Sequence, residues 1–174
     1  MMVGVSTDWF SGEAHDPTHQ AFLAELRAHA DRAGLRDVRP ETTELISAAD
    51  FPLVALVPVP RLPTVGPKPT LQVALSTRDP HRPVLLGGWE GWDYLLDVAE
   101  EIDTRDVPAE PVALARRAYA WLLEQLDRPV EVRTWRRRWR RPRSEWRLAD
   151  TDELITDDGG LAPRRAPDEV ERLR

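Results

Sequence analysis

Between Phe51 and Gly87 three short apolar runs are separated by links that cannot pair, and this pattern constrains the fold more than any other. The run FPLVALVPVP (Phe51–Pro60) is apolar at both alternating parities, which predicts a strand covered on both faces. Pro58 and Pro60 limit it, because each lacks a ladder donor. RLPTVGPKP follows; three prolines and a glycine in nine residues make it a loop. TLQVALST then alternates. Leu71, Val73 and Leu75 point one way and Gln72, Ala74 and Ser76 the other, as in a half-buried strand. A turn around Asp79–Pro80 leads to a third short strand, Pro83–Gly87. Strands joined by links this short favour antiparallel neighbours.

Helical spacing surrounds this block. Asp16 can cap and Pro17 can open a helix over residues 17–33, with Phe22, Leu26, His29 or Ala30, and Ala33 on one face and Gly34 ending it. Leu35–Arg39 reads as a short strand. A second helix is expected from Trp89 or Trp92 to residue 102, with Trp92, Leu95, Leu96 and Ala99 inward. The strongest stripe comes next: Val112, Ala115, Tyr119, Leu122 and Leu126, widened by Leu114, Ala118 and Trp121, opened by Pro111 and stopped by Pro129. A face that broad packs against a sheet rather than along a coiled-coil seam.

The last structured part reads as a β-hairpin, residues 130–139 and 145–150, linked by RRPRS. Trp135 and Trp139 fall on the parity opposite to Val130 and Val132, which suggests a bulge near Thr134. Residues 151–174 hold few large apolar side chains and the pair Gly159–Gly160, so they read as a polar tail that is partly mobile or wraps the surface. The expected fold is therefore α+β. A single domain over residues 1–150 carries a mostly antiparallel sheet of about five strands, with two or three helices on one face. In outline this order is similar to that of secretion-chaperone-type and small immunity-type proteins.

Composition removes several function classes. There is no cysteine, hence no disulfide, no thiolate nucleophile and no cysteine-ligated metal. No apolar run approaches the roughly 20 residues needed to span a bilayer. The N-terminus has no basic n-region and acquires acids early, which argues against a signal peptide and for a cytoplasmic protein. No nucleophile elbow, metalloprotease helix or dinucleotide fingerprint occurs.

Charge is distributed unevenly. Residues 133–147, RTWRRRWRRPRSEWR, hold eight arginines against one glutamate, a net +7. The whole chain carries −6, so the remainder carries −13. Arginine neutralises acids and tryptophan supplies an anchor or a stacking surface, so this hairpin is the expected binding element. An acidic tail could also fold back onto it. The Gly87–Gly88–Trp89–Glu90–Gly91–Trp92 cluster lacks the lysine and hydroxyl of a phosphate loop, and its glycines read as turn geometry. Its indoles read as a second, aromatic patch. His15 and His19 flank Asp16 without a third ligand, and Asp16 reads as a helix cap rather than a metal ligand. The acids Asp150, Asp152, Glu153, Asp157 and Asp158 lack the spacing of a calcium loop.

The sequence thus points to a non-catalytic accessory protein: chaperone-like, immunity-like or a complex subunit. Its partner would be a protein with an acidic surface, engaged through Trp89, Trp92, Trp135, Arg136, Arg138, Trp139, Arg140 and Arg141. No cofactor, metal or membrane is called for, and no feature sets an oligomeric state. The alternatives are a nucleic-acid-binding module using the same hairpin and, further off, a carboxylate- or metal-dependent enzyme.

Overall fold

The computed structural model describes residues 9–48, 51–59, 69–79, 81–90, 99–136, 141–158 and 165–173. Helix α1 spans Pro17–Ala33, as the capping signals predict. The Asp16 carboxylate accepts the His19 N–H at 2.9 Å, and Gly34, at φ 70°, donates its N–H to the Ala30 carbonyl at 2.7 Å. Helix α2 spans Pro111–Leu126 and buries Leu114, Ala115, Ala118, Tyr119, Leu122 and Leu126. Val112, on the same stripe by spacing, stays exposed in the first turn. The helices pack on each other. The Tyr119 hydroxyl donates to the Gly34 carbonyl at 2.6 Å, and its ring stacks on His29 with centroids 5.2 Å apart.

The first sheet is an antiparallel meander of β1 (Glu44–Ile46), β2 (Leu53–Pro58), β3 (Thr70–Ser76), β4 (Val84–Glu90) and β5 (Glu100–Glu101), in that order. One face, including Leu53, Leu71, Val73 and Leu85, meets Phe22, Leu26 and Leu122 of the helices in the main core. The opposite face has its own buried cluster of Val54, Leu56 and Ala74, so β3 is covered on both sides and not one.

One sequence expectation fails here and a second is cut back at its ends. Leu35–Arg39 is not a strand; a turn at residues 36–37 and a 3-10 turn at Pro40–Thr42 lead into β1. The helix from Trp89 or Trp92 to residue 102 is contradicted at both of its described ends. Trp89 pairs with Leu71 inside β4, Glu100–Glu101 form β5, and the Ile102 N–H reaches the Leu85 carbonyl at 2.9 Å. Residues 91–98, with Trp92, lie outside the described residues. Gly87 supplies part of the physical reason. A Cβ there would sit 2.7 Å from the Trp121 ring and 2.9 Å from Ile102. The glycine admits the α2 indole against the strand instead of breaking the strand.

The second sheet contains β6 (Val130–Trp135), β7 (Arg143–Leu148), β8 (Leu154–Asp157) and β9 (Glu169–Arg172), ordered β8-β7-β6-β9 and antiparallel throughout. Residues 151–174, read from sequence as a tail, thus supply both edge strands. Val130, Trp146 and Leu148 join the main core, so both sheets and both helices form one α+β domain. Among the described residues no helix is long and apolar enough to cross a membrane.

Candidate partner-binding face of the second sheet

Alternation divides the β6–β7 hairpin into two chemistries. Val130 pairs with Leu148 and Val132 with Trp146 on the core side. On the other side Glu131 faces Arg147, Arg133 faces Glu145, and Trp135 faces Arg143. Oppositely charged side chains on this face form a ladder of ion pairs that runs along each strand and is joined through Asp152. Glu145 accepts from the Arg143 Nη2 at 3.0 Å and the Arg147 Nε at 3.0 Å. Arg143 also reaches Asp157 of β8 at 3.1 Å, and Arg133 pairs with Glu131 and with Asp152 at 2.5 Å. Burial works against the charge of Arg133, but Glu131 and Asp152 outweigh it and hold its pKa above the ordinary arginine value. Arg143 and Glu145 are each only 3 % exposed, so the ladder has a desolvated centre.

The β6 end of the hairpin is tied down by the chain leading into β9. The Trp135 indole N–H donates to the Arg165 carbonyl at 3.0 Å. Asp168 accepts the Arg136 N–H at 2.6 Å and both Arg165 terminal nitrogens at 2.8 and 2.9 Å. The Arg136 backbone N–H, followed by the Arg165 guanidinium, holds the Asp168 carboxyl below its usual range. Glu169 meets the Arg136 guanidinium at 3.3 Å. At the β7 end, Asp158 accepts the Ser144 N–H at 2.9 Å.

The site residues named from sequence therefore separate. Trp89 is 8 % exposed and donates its indole N–H to Gln125 at 3.1 Å; it is a core residue of β4, not part of a surface patch. Trp135 is 5 % exposed and covered by the Arg165–Asp168 turn. Arg136 and Arg141 are exposed at the hairpin end. Trp92, Arg138, Trp139 and Arg140 lie outside the described residues. The bulge expected near Thr134 is absent from the β6–β7 pairing, whose register is regular; the irregularity falls between Trp146 and Arg147, facing β8. Sequence reading missed the importance of Arg143, Glu145, Asp168 and Glu169. The parity of Glu131-x-Arg133 and Arg143-x-Glu145-x-Arg147 was the available signal.

Other motifs resolve into structural roles. His19 holds Asp16 on Nδ1 at 2.5 Å and faces the Thr77 hydroxyl from Nε2 at 3.3 Å, so both ring nitrogens are engaged within the protein. The acidic run disperses onto arginines: Asp150 to Arg128, Asp152 to Arg133 and Arg147, and Asp157 to Arg143. A cleft of about 480 Å³ lies between β4, β5, α2 and β8. Of its acids, Asp103 and Glu124 meet Arg105 and Arg117, while Glu100, Glu101 and Glu153 are solvent-exposed. No protein-family model matches the chain, nor does any curated protein or solved structure.

Proposed function

We propose that this chain is a protein-binding accessory module that engages an acidic partner surface at the end of the β6–β7 hairpin, around Arg136 and Arg141. One observation carries the reading. Two exposed arginines stand at the end of a hairpin whose strands are locked next to that end by the buried Arg143–Glu145 pair. A rigid base presents cationic groups with little ordering cost on binding. The burial of Trp89, Trp135 and Trp146 weighs against the nucleic-acid alternative, because those indoles offer no face for bases to stack on. The cleft supports carboxylate catalysis less well than the hairpin supports binding. Its acids are ion-paired or solvated, whereas a general acid needs a desolvated carboxyl.

The test is fluorescence anisotropy with a labelled hexaglutamate peptide and a labelled single-stranded oligodeoxynucleotide. The unaltered chain should bind the peptide, and R136E/R141E should abolish that binding while lowering the melting temperature by no more than about 4 °C. Binding of the oligonucleotide alone, with affinity falling steeply as salt rises, would transfer the surface to the nucleic-acid reading. Binding of neither probe would overturn both.

A further inference from the structure

Strand β9 differs from every other strand of the second sheet in how little holds it. Among the described residues it is an edge strand with β6 as its sole neighbour, and all four of its residues are exposed, Val170 at 55 %. Only Leu173, just beyond it, is packed in part against the core. The other edge, β8, buries Ile155 and Thr156. What attaches β9 is backbone pairing and charge. The Leu173 N–H donates to the Val130 carbonyl at 2.8 Å, the Asp168 N–H donates to the Thr134 carbonyl at 2.9 Å, and Asp168 and Glu169 hold Arg136. Exposed backbone pairs with few apolar contacts mark the least stable part of a fold.

β9 and its lead-in cover part of the second sheet. Beneath them lie the β6 edge and the Trp135 indole, and Glu169 contacts the exposed Arg136 guanidinium beside them. A free sheet edge binds extended peptide through its main chain, and neighbouring side chains supply specificity. A buried indole and an arginine are the side chains most often found at the energetic centre of interfaces.

We propose that the β6 edge now filled by β9 is a docking groove for an extended, acidic segment of the partner protein, which adds as a strand in place of β9 and takes over its carboxylate contacts to Arg136. The proposal rests on the reading above and specifies its geometry. The chain's own Asp168-Glu169 pair is the stand-in for the partner's acids, so complementarity of charge defines the occupant. The burial of Trp135 then follows from the closed state, and strand exchange uncovers it.

Labelled peptide RAPDEVERL, the sequence of residues 165–173, provides the probe. Because Leu173 donates to Val130, alternation places the residue 171 donor toward β6 as well, and E171P removes it. E171P should bind the peptide at least about tenfold more tightly than the unaltered chain, since a site blocked most of the time has its apparent affinity cut by the open fraction. Adding R136E should erase that gain. If E171P loses its cooperative melting transition, the full-length D168N/E169Q variant, which keeps every backbone donor, serves instead and should shift in the same direction. Equal peptide binding, or none, in the unaltered chain and the released variant overturns strand addition. If hexaglutamate binding persists in that case and remains sensitive to R136E/R141E, the hairpin-end reading survives; if it too is absent, both fall.

Discussion

Replacing Arg143 by alanine removes a cation that sits 3.0 Å from Glu145 and 3.1 Å from Asp157 at the centre of the ladder. Removing one member of a buried ion pair typically costs about 3–5 kcal/mol, mostly by stranding the desolvated partner. Glu145 keeps Arg147 at 3.0 Å, and Asp157 is 22 % exposed and able to hydrate, so the lower end applies. R143A should therefore destabilise the protein by about 3 kcal/mol. At about 2–4 °C per kcal/mol for a domain of this size, the melting temperature should fall by about 6–12 °C. Urea titrations of R143A, R136A and the double change R143M/E145M measure this at constant m-value. R136A, on an exposed arginine, should cost no more than about 1 kcal/mol. R143M/E145M should cost less than R143A, because no unpaired carboxylate remains at position 145. A loss below about 1 kcal/mol for R143A, indistinguishable from R136A, would refute the burial of the ladder's centre.

Three further outcomes are expected. G87A places a methyl group 2.7 Å from the Trp121 ring and should destabilise by about 1–3 kcal/mol, with part of the loss recovered in G87A/W121L; thermal melts decide. D16A should lower stability by about 1 kcal/mol through loss of the α1 cap, read by the same melts. The Asp168 carboxyl is held below its ordinary 3.8, so its contribution is full above that pH and is lost as pH falls through the lower folded value. Acid should thus loosen β9 as pH falls through that lower value, seen as a tryptophan fluorescence change that D168N shifts or removes.

The parts of the fold legible in the sequence are those where local chemistry and tertiary burial agree. Asp16–Pro17 and Gly34 mark both ends of α1, and the α2 stripe is the face that is buried. The apolar runs of β2 and β3 were readable for the same reason, although the burial of Gln72 and Ala74 on the second face of β3 was not. β1 has three residues and no distinguishing pattern. The spacing of Trp92, Leu95, Leu96 and Ala99 predicts a helix across residues that lie outside the described ones, and its expected ends at Trp89 and Glu100–Glu101 are strand, held by pairing partners distant in sequence. β9 was invisible because its four residues bury nothing, so pairing alone makes it a strand. The site misled for a related reason. Tryptophan and arginine at Trp135, Arg143 and Arg147 look available for a partner, yet their partners within the chain include Asp152, Asp157 and Arg165 in the segment read as a tail. Charge composition foretold that acids would meet arginines but could not assign the pairs.

Hydrogen exchange along the second sheet of the unaltered protein gives the most direct test, because it compares the locked β7 strand of the hairpin with the edge strand β9. Amides of Arg143–Leu148 should be protected to near the global unfolding limit, while those of Glu169–Arg172 should exchange orders of magnitude faster. Uniform exchange across both strands, or protection of β9 equal to that of β7, would contradict a rigid arginine hairpin covered by a removable edge.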